Sequence, residues 1–187
     1  GQALMRVVAG QWRGRPLAAP KGLATRPTAD RTREALFSML ASRLGSFEGL
    51  AVADLFAGSG ALGIEALSRG AATCTFVEQD RAALDALRAN LYRLGANSGE
   101  RRADVRATSV LSLGPAPAPL DVVMMDPPYG TGAGSVAADK LARLGWIGPA
   151  TWVSIETARD EPVEVAGFTV DADRTHGKAR LTLLRSN

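Results

Sequence analysis

The tetrapeptide Asp126-Pro127-Pro128-Tyr129 contains the residue types that most directly suggest chemistry in this sequence. Two consecutive prolines have no backbone N–H and fix φ, and each residue before a proline is held in an extended conformation. The motif therefore predicts a rigid edge that offers only hydrogen-bond acceptors, namely the carboxylate of Asp126 and the carbonyl of Pro127. Such an edge suits a ligand group with two N–H donors, and an amino group on a nucleobase is such a group.

The chemistry of a nucleobase amine explains why acceptors would be needed. Its lone pair is delocalised into the ring, and acceptors that bind both hydrogens out of the ring plane restore its nucleophilic character. Transfer of an electrophilic methyl group then depends chiefly on positioning. We expect Asp126 to accept the proton and Tyr129 to stack on the base, an interaction worth about 1–3 kcal/mol. The alternative is that the prolines simply end a strand and that Tyr129 packs.

A second motif, Asp54-Leu-Phe-Ala-Gly-Ser-Gly-Ala-Leu-Gly63, lies between a predicted strand and a predicted helix. Glycines in such a turn allow a ligand to approach the backbone and the helix N–H groups closely. Glu78, at the end of the next predicted strand, can accept hydrogen bonds from both hydroxyls of a ribose. These features predict a nucleoside-containing cofactor. NAD fits the same turn, but the acid Asp54 before the glycines favours S-adenosylmethionine, which has a cationic amino-acid end.

The pattern of strands and helices places both motifs at one edge of a sheet. From residue 50 onward, apolar strands alternate with amphipathic helices, which predicts an α/β fold with helices on both faces of a mostly parallel sheet. In such sheets, ligands bind outside the carboxyl ends of the strands. The last two strands, joined by residues 174–178, are predicted to form an antiparallel hairpin at the sheet edge. The predicted strands are 51–55, 73–78, 105–109, 120–125, 152–156, 168–173 and 179–184, and the predicted helices are 61–69, 81–94 and 135–144.

The N-terminal segment is predicted to be a small extension of this domain. Residues 6–17 contain short apolar stretches broken by glycines, which indicates a hairpin or an extended arm, and a helix follows within residues 26–40, capped by Thr28 or Asp30. We assign residues 5–45 to this extension and residues 46–187 to the main domain. Residues 1–50 contain eight Lys and Arg against three acids, whereas the rest of the chain contains 14 against 16. This basic excess indicates a polyanion-binding segment, with a solvated arginine-rich surface as the alternative.

Within that segment we expect contacts to RNA phosphates and bases from aromatic and basic side chains. Two alternatives stay open: Trp12 packs the arm onto the domain, and Arg31 pairs with Glu34 three residues later. The expected RNA-binding residues are Trp12, Arg13, Arg15, Arg26 and Arg31.

The scarcity of cysteine and histidine excludes several kinds of site. With one cysteine and one histidine, the chain cannot form an internal disulfide, and it contains no Cys/His cluster for zinc or an iron–sulfur centre. Cys74 lies in a predicted strand, where we expect a buried core residue. The four residues before Met5 are interpreted as an expression scar, and no apolar leader or membrane-length segment follows them. We therefore expect a cytoplasmic protein with no membrane contact and no metal.

Taken together, the motifs resemble the amino-methyltransferases with an Asp/Asn-Pro-Pro-Tyr/Phe motif. In particular, the chain resembles the RsmD family, which methylates guanine N2 in bacterial 16S ribosomal RNA. The resemblance runs nearly from end to end. The segments that carry it are Gly10-Gln-Trp-Arg-Gly-Arg15, Arg26-Pro-Thr-Ala-Asp-Arg31, Arg33-Glu34, Asp54–Gly63, Glu65-Ala-Leu-Ser-Arg69, Asp126–Tyr129 and Gly145-Trp146.

This resemblance implies a Rossmann-like, seven-stranded methyltransferase fold, S-adenosylmethionine as the donor and a guanine of 16S rRNA as the target, modified during assembly of the small subunit. No obligate protein partner is evident from the sequence. The resemblance also implies roles for individual residues. The guanine amine would be held by Asp126, Pro127, Pro128 and Tyr129. The cofactor would be bound by Asp54, Ala57, Gly58, Ser59 and Gly60 at its methionine end, Glu78 at its ribose, Ser109 and Val110 at its adenine, and Thr28, with Pro27, near the mouth of the site. This sequence departs from the family at Ser109, where the family usually has Asp or Asn, although a hydroxyl can still accept a hydrogen bond from the adenine amine.

Other functions are open from the sequence. Methylation of adenine N6 in DNA or RNA would use the same Asp-Pro-Pro-Tyr chemistry, although 187 residues leave no room for a DNA target-recognition domain. A nicotinamide oxidoreductase would explain the glycine turn but not Asp126–Tyr129. A non-catalytic RNA-binding assembly factor would explain the basic segment but not the two paired motifs. Glu156, at the end of the fifth predicted strand, is a further candidate site residue, or else a solvated carboxylate.

Overall fold

The structure is a computed structural model that describes residues 5–20, 29–96 and 102–187. Within these residues, strands and helices alternate along the main domain as the sequence predicts. The strands are β1 (Met5–Arg6), β2 (Pro16–Leu17), β3 (Ala51–Leu55), β4 (Thr73–Glu78), β5 (Ala103–Ala107), β6 (Val122–Met125), β7 (Trp152–Ala158), β8 (Phe168–His176) and β9 (Ala179–Ser186). The helices are α1 (Ala29–Leu44), α2 (Ala61–Ser68), α3 (Arg81–Leu94) and α4 (Ala133–Arg143), with a 3-10 turn over Val110–Ser112.

Seven of these strands form a single sheet in the order β5-β4-β3-β6-β7-β9-β8. The pairings from β5 to β7 are parallel, whereas β9 is antiparallel to both of its neighbours. The predicted mostly parallel, seven-stranded Rossmann-like sheet with an antiparallel closing strand is therefore confirmed. The chain order changes direction beside β3, where β4 lies on one side and β6 on the other, and ligands bind at such a point in open α/β sheets.

Both faces of the sheet are covered, because its central strands have apolar side chains on both sides. Helices α1, α2 and α3 pack on one face, where Phe37, Leu67 and Leu87 belong to one buried cluster. Helix α4 packs on the other face, where Leu141 and Ile155 belong to a second cluster. In the part of the chain that the structure describes, no helix is long and apolar enough to cross a membrane.

The predicted N-terminal extension contains a short β1–β2 ladder, with Met5 opposite Leu17. It is held against α2 by the buried carboxylate of Glu65, which accepts hydrogen bonds from the backbone N–H groups of Val8 (2.9 Å) and Ala9 (3.0 Å). The same carboxylate pairs with Arg69 at 2.9 Å and with Arg33 at 3.4 Å. A division of the chain between residues 45 and 46 stays a prediction.

Some boundaries differ from those predicted, and local hydrogen bonds explain them. Strand β5 ends two residues earlier than predicted, because Thr108 N–H donates to the Arg106 carbonyl and a 3-10 turn begins shortly afterwards. The predicted link 174–178 belongs mostly to strands, since only Gly177, with a φ of 59°, and Lys178 separate β8 from β9. Asp30 is not the helix cap, because it lies within α1 and pairs with Arg33 at 2.9 Å.

Candidate functional site

The predicted site residues of the main domain converge at the carboxyl edge of the sheet. In the sheet register, Leu55 lies opposite both Val77 and Met125, so the residues that follow them, Glu78 and Asp126, leave the sheet at the same level. The glycine-rich turn begins there as well. The structure therefore brings the two sequence motifs and Glu78 to one edge, as the strand order requires.

The turn between β3 and α2 has an unusual backbone. Three of its residues have a positive φ: Phe56 (58°), Gly58 (58°) and Gly60 (87°). A positive φ is uncommon for a residue other than glycine, such as Phe56. Helix α3 lies close beneath the turn, because a Cβ built on Gly60 would lie only 2.3 Å from the Leu87 side chain. The turn therefore requires glycine at position 60 for both conformation and space.

Glu78 holds this turn in place. Its Oε1 accepts a hydrogen bond from Gly58 N–H at 2.9 Å, and its Oε2 accepts from the N–H groups of Gln79 (2.9 Å) and Asp80 (2.8 Å). A carboxylate has about four lone-pair sites, and three are used here, so one remains for a ribose hydroxyl; binding both predicted hydroxyls would require one of these backbone bonds to be shared or replaced. That role stays a prediction, whereas the contact with the glycine turn is an additional role that the sequence pattern did not suggest.

Asp54 is buried below the turn with a single satisfied oxygen. Asp54 is 1% exposed, and its Oδ2 accepts from Gly63 N–H at 2.9 Å. Its Oδ1 is buried and has no hydrogen-bond partner among the residues that the structure describes. Burial raises the pKa of Asp54 well above its ordinary value; the Gly63 N–H opposes this shift, and the negative charges of Asp126 and Glu78 add to it. A buried acceptor without a donor fits the cationic amino group of S-adenosylmethionine, because an ammonium would supply both the missing hydrogen bond and the compensating charge.

The Asp-Pro-Pro-Tyr motif directly follows β6. Asp126 is exposed, Pro127 is buried and Tyr129 is half-buried. The Tyr129 hydroxyl donates to Glu156 Oε2 at 2.7 Å, and Gly130 N–H donates to Glu161 Oε1 at 2.9 Å. The end of the Asp-Pro-Pro-Tyr motif is therefore held by two carboxylates, that of Glu156 on β7 and that of Glu161 in the turn after β7.

These two acids differ in how far the sequence could identify them. Glu156 is the candidate named at the end of the fifth predicted strand; it follows Ile155, which lies opposite Met125 in the sheet. It contacts the motif through Tyr129, which favours a positioning role over a merely solvated carboxylate. Glu161 was not predicted, because an acid in a turn gives no periodic signal.

The remaining predicted cofactor residues lie beside the same edge. Ser109 precedes the 3-10 turn, and its hydroxyl oxygen accepts from Leu111 N–H at 3.2 Å, while Val110 is buried. Ala57 and Ser59 are buried in the glycine turn. Their contacts to a cofactor stay predictions. Thr28, like Pro27, lies outside the described residues.

Asn90, on α3, links the turn to the N-terminal arm. Its amide is 1% exposed and makes three hydrogen bonds: it accepts from Ala18 N–H at 2.8 Å and donates to the carbonyls of Ala18 and Ser59 at 3.0 Å each. Asn90 is not among the residues predicted from the sequence. The available signal was an amide on the apolar face of a helix, since a buried amide requires partners.

The predicted RNA-binding residues fall into three groups. Arg13, Arg15 and Arg31 are exposed, and their predicted contacts stay predictions. The prediction that Trp12 contacts RNA is corrected, because this residue is only 6% exposed and the Arg102 guanidinium lies 5.7 Å from its ring. The ring therefore packs the arm, as in the alternative, and is not available to stack on a base. Arg26 lies outside the described residues.

Two further observations concern the rest of the molecule. A surface cleft of about 470 Å³ lies at the opposite end of the sheet, between the arm and the end of α2, and Gln11, Arg69 and Arg102 are among its lining residues. The predicted site residues with described positions do not line this cleft. Among the residues with described positions, no three His, Cys, Asp or Glu side chains are grouped to hold a metal ion.

Comparison with known proteins places this arrangement in a family. The family model described as "Conserved hypothetical protein 95" matches residues 5–185. Ribosomal RNA small subunit methyltransferase D of Escherichia coli K12 is 36% identical over 185 residues, which are 98% of this chain and 90% of the relative. The protein of the same name from Haemophilus influenzae is 35% identical over 175 residues, 92% of this chain and 89% of the relative.

Solved structures support the same assignment. The Escherichia coli protein yhhF superposes with a TM-score of 0.82 at 34% identity, covering 99% of each chain. Magnesium protoporphyrin IX methyltransferase from Synechocystis, solved with bound S-adenosylmethionine, shares only the fold, with a TM-score of 0.63 at 16% identity over 89% of this chain and 87% of that one. The sheet order, the buried acid before the glycine turn and the near full-length matches agree, and this chain belongs to the ribosomal RNA small subunit methyltransferase D family.

Proposed function

We propose that this protein transfers a methyl group from S-adenosylmethionine to the exocyclic N2 amine of a guanine in small-subunit 16S ribosomal RNA. The proposal rests chiefly on one observation: the glycine-rich turn and the Asp-Pro-Pro-Tyr motif lie at the same edge of the sheet. Asp54, with its unsatisfied buried oxygen, lies under the glycine turn, and Asp126 begins the acceptor edge one strand away. The relatives named as small-subunit rRNA methyltransferases support RNA as the substrate.

One set of residues would bind the methyl donor and another would bind the methyl acceptor. Asp54 and the turn 57–60 would hold the methionine end of the cofactor, and Glu78 would hold its ribose. S-adenosylmethionine supplies an electrophilic methyl group on a sulfonium, and the sulfur keeps the electron pair of the broken bond.

On the acceptor side, Asp126 and the Pro127 carbonyl would accept hydrogen bonds from both hydrogens of the guanine amine and direct its lone pair. Reacting atoms about 3–3.5 Å apart allow transfer by positioning alone. The amine loses one proton as the N–C bond forms, and Asp126, which is exposed, would pass that proton to solvent. Tyr129, held by Glu156, would stack on the guanine, which is presented from an unpaired or flipped position.

The substrate is proposed to be rRNA within a small-subunit particle. The test is to incubate the protein with labelled S-adenosylmethionine and either unmodified particles or free 16S rRNA, followed by mapping of the modified base. Label on a guanine N2 is the expected result. Label on an adenine N6 would replace guanine with adenine as the target, and cofactor binding without any transfer would favour a non-catalytic factor.

The role of Asp126 is tested separately. We expect Asp126→Ala to abolish transfer while the Kd for S-adenosylmethionine changes by only a few-fold, because the carboxylate contacts the acceptor. Asp139→Ala, which removes a partly exposed carboxylate on α4, is the matched control. Turnover near that of the wild type in Asp126→Ala would remove this residue from the mechanism.

A further inference from the structure

The outer face of α3 exposes an aromatic ring that the core does not use. Tyr92 is 86% exposed, whereas the leucines that α3 directs toward the sheet are buried. Among the large hydrophobic side chains that are exposed in the described parts of the chain, Tyr92 is the one aromatic residue. A tyrosine ring so far out of the fold contributes little to stability, and exposed aromatic rings are a common element of nucleic-acid recognition.

Three arginines lie at this end of α3. Arg88 lies one helical turn before Tyr92 on the same face, and Arg93 follows Tyr92 in the sequence, about 100° further round the helix. Arg15 comes from the N-terminal arm, and its guanidinium donates to the Arg93 carbonyl at 2.9 Å. The ion pairs found between described residues involve other arginines. The nearest acid along this face is Asp85, one turn before Arg88, so the patch keeps a net positive charge.

We propose that Arg15, Arg88, Tyr92 and Arg93, here called the Tyr92 patch, bind an unpaired stretch of the substrate RNA. One base stacks on the Tyr92 ring, and the guanidinium groups contact the flanking phosphates. The inference rests on the proposed function in that RNA is the substrate. An RNA partner is favoured over a protein partner because the exposed side chains next to Tyr92 on α3 include Arg88 and Arg93, whereas the centre of a protein interface is depleted of charged residues.

The position of the patch defines its contribution. Helix α3 begins immediately after Glu78 and Asp80 at the edge that holds the candidate active site. Tyr92 is 12 residues beyond Asp80, or about 18 Å along the helix axis. A contact this far from the reacting atoms increases RNA affinity without taking part in methyl transfer. The hydrogen bond from Arg15 to the Arg93 carbonyl joins the N-terminal arm to this end of α3.

The test compares Tyr92→Ala, Tyr92→Phe and the double variant Arg88→Gln/Arg93→Gln with the wild type. Arg143→Gln is the matched control, because Arg143 is an exposed arginine on α4, on the other face of the sheet. The measurements are the Kd for unmodified small-subunit particles at several salt concentrations, the Kd for S-adenosylmethionine and the transfer rate at saturating RNA.

We expect Tyr92→Ala to weaken RNA binding roughly five-fold or more, and Tyr92→Phe to retain wild-type affinity, because phenylalanine keeps the stacking surface. The double arginine variant should make the slope of log K against log salt shallower by about 0.7 for each lost phosphate contact to a single strand. The cofactor Kd and the saturating rate should not change. Unchanged RNA affinity in Tyr92→Ala would overturn the proposal.

A crosslinking experiment distinguishes RNA from protein as the partner. A photoreactive benzoylphenylalanine in place of Tyr92 should crosslink to rRNA in particles, and a crosslink to a ribosomal protein instead would overturn the proposal. Failure of the proposed function is a separate result, because it appears as absent transfer by the wild type, whereas failure of the patch appears as normal transfer with unchanged binding by the variants.

Discussion

Replacing Asp54 with asparagine should stabilise the free protein and weaken its binding to the cofactor. The carboxylate is buried, its Oδ1 has no partner within the described parts of the chain, and burial together with the charges of Asp126 and Glu78 raises its pKa. Asparagine keeps an acceptor for Gly63 N–H and removes the buried charge. The asparagine NH2 would still be a buried group without a partner, so the gain comes from removing the charge, because a buried charged group costs more than a neutral one. We expect Asp54→Asn to gain on the order of 1–3 kcal/mol of free energy of unfolding at neutral pH. At about 2–4 °C per kcal/mol for a chain of this size, Tm should rise by roughly 2–12 °C.

The gain from Asp54→Asn should depend on pH in a defined direction. Because the pKa of Asp54 in the folded protein lies above its ordinary value of 3.8, the wild type binds this proton more tightly when folded. It therefore loses stability as pH rises from about 3.8 to the raised folded-state pKa. The difference between the variant and the wild type should be smallest at acidic pH, grow through that window and stay constant above it. Urea unfolding at several pH values measures this difference.

Cofactor affinity should change in the opposite direction. If the unsatisfied oxygen accepts from the ammonium group of S-adenosylmethionine, the loss of a hydrogen bond to a charged group costs about 1.5–3 kcal/mol. This corresponds to roughly a ten- to hundred-fold higher Kd by calorimetry. Asp139→Asn, at a partly exposed position on α4, controls for the loss of one negative charge.

Two results would refute this reasoning about Asp54. A Kd equal to that of the wild type would mean that Asp54 does not contact the cofactor. A stability difference that is flat with pH would mean that the folded protein does not hold a carboxyl group with a raised pKa at this position.

Three further changes test the support of the site. Asn90→Ala should lower the free energy of unfolding by about 1–3 kcal/mol in urea titrations, because buried groups of the arm and the glycine turn lose their partner. Gly63→Ala should destabilise by about 1–3 kcal/mol, measured in the same way, because its Cβ would lie 2.3 Å from the Phe76 ring. Glu156→Ala should slow transfer about two- to ten-fold in a single-turnover assay through loss of the Tyr129 hydrogen bond, whereas Glu156→Gln, which keeps an acceptor, should transfer near the wild-type rate.

Each of these expectations has a contrary outcome. Wild-type stability in Asn90→Ala would mean that the arm and the turn are held independently of this amide. Wild-type stability in Gly63→Ala would mean that α2 and the Phe76 ring on β4 can move apart at little cost in free energy. Equal rates for Glu156→Ala and Glu156→Gln would mean that the hydrogen bond to Tyr129 does not position the motif.

The sequence was a good guide where a single local pattern determined the structure. Apolar periodicity predicted β3, β4 and α3 almost to the residue, and the glycines and prolines located both motifs at strand ends. Since parallel strands end at the same edge, the meeting of Asp54, Glu78 and Asp126 followed from the predicted sheet.

The remaining features depend on contacts between distant parts of the chain, which periodicity does not encode. The burial of Trp12 depends on its packing beneath Arg102, and the role of Asn90 depends on the path of the arm over α3. Strand β5 ends early because Thr108 N–H donates to the nearby Arg106 carbonyl, and residue type alone does not determine whether an N–H bonds locally or to a neighbouring strand. Glu161 contacts the Asp-Pro-Pro-Tyr motif only because the turn after β7 folds back toward it.

The position of Glu65 limits how the N-terminal arm can be studied. This fully buried carboxylate accepts two of its hydrogen bonds from the arm backbone. Deleting the arm would remove those donors and open the carboxylate's surroundings to water, so the shortened chain would be a destabilised protein rather than one with a weaker grip on RNA. Side-chain changes such as Arg13→Gln, which leave the backbone donors in place, are therefore the appropriate way to measure what the arm contributes to recognition.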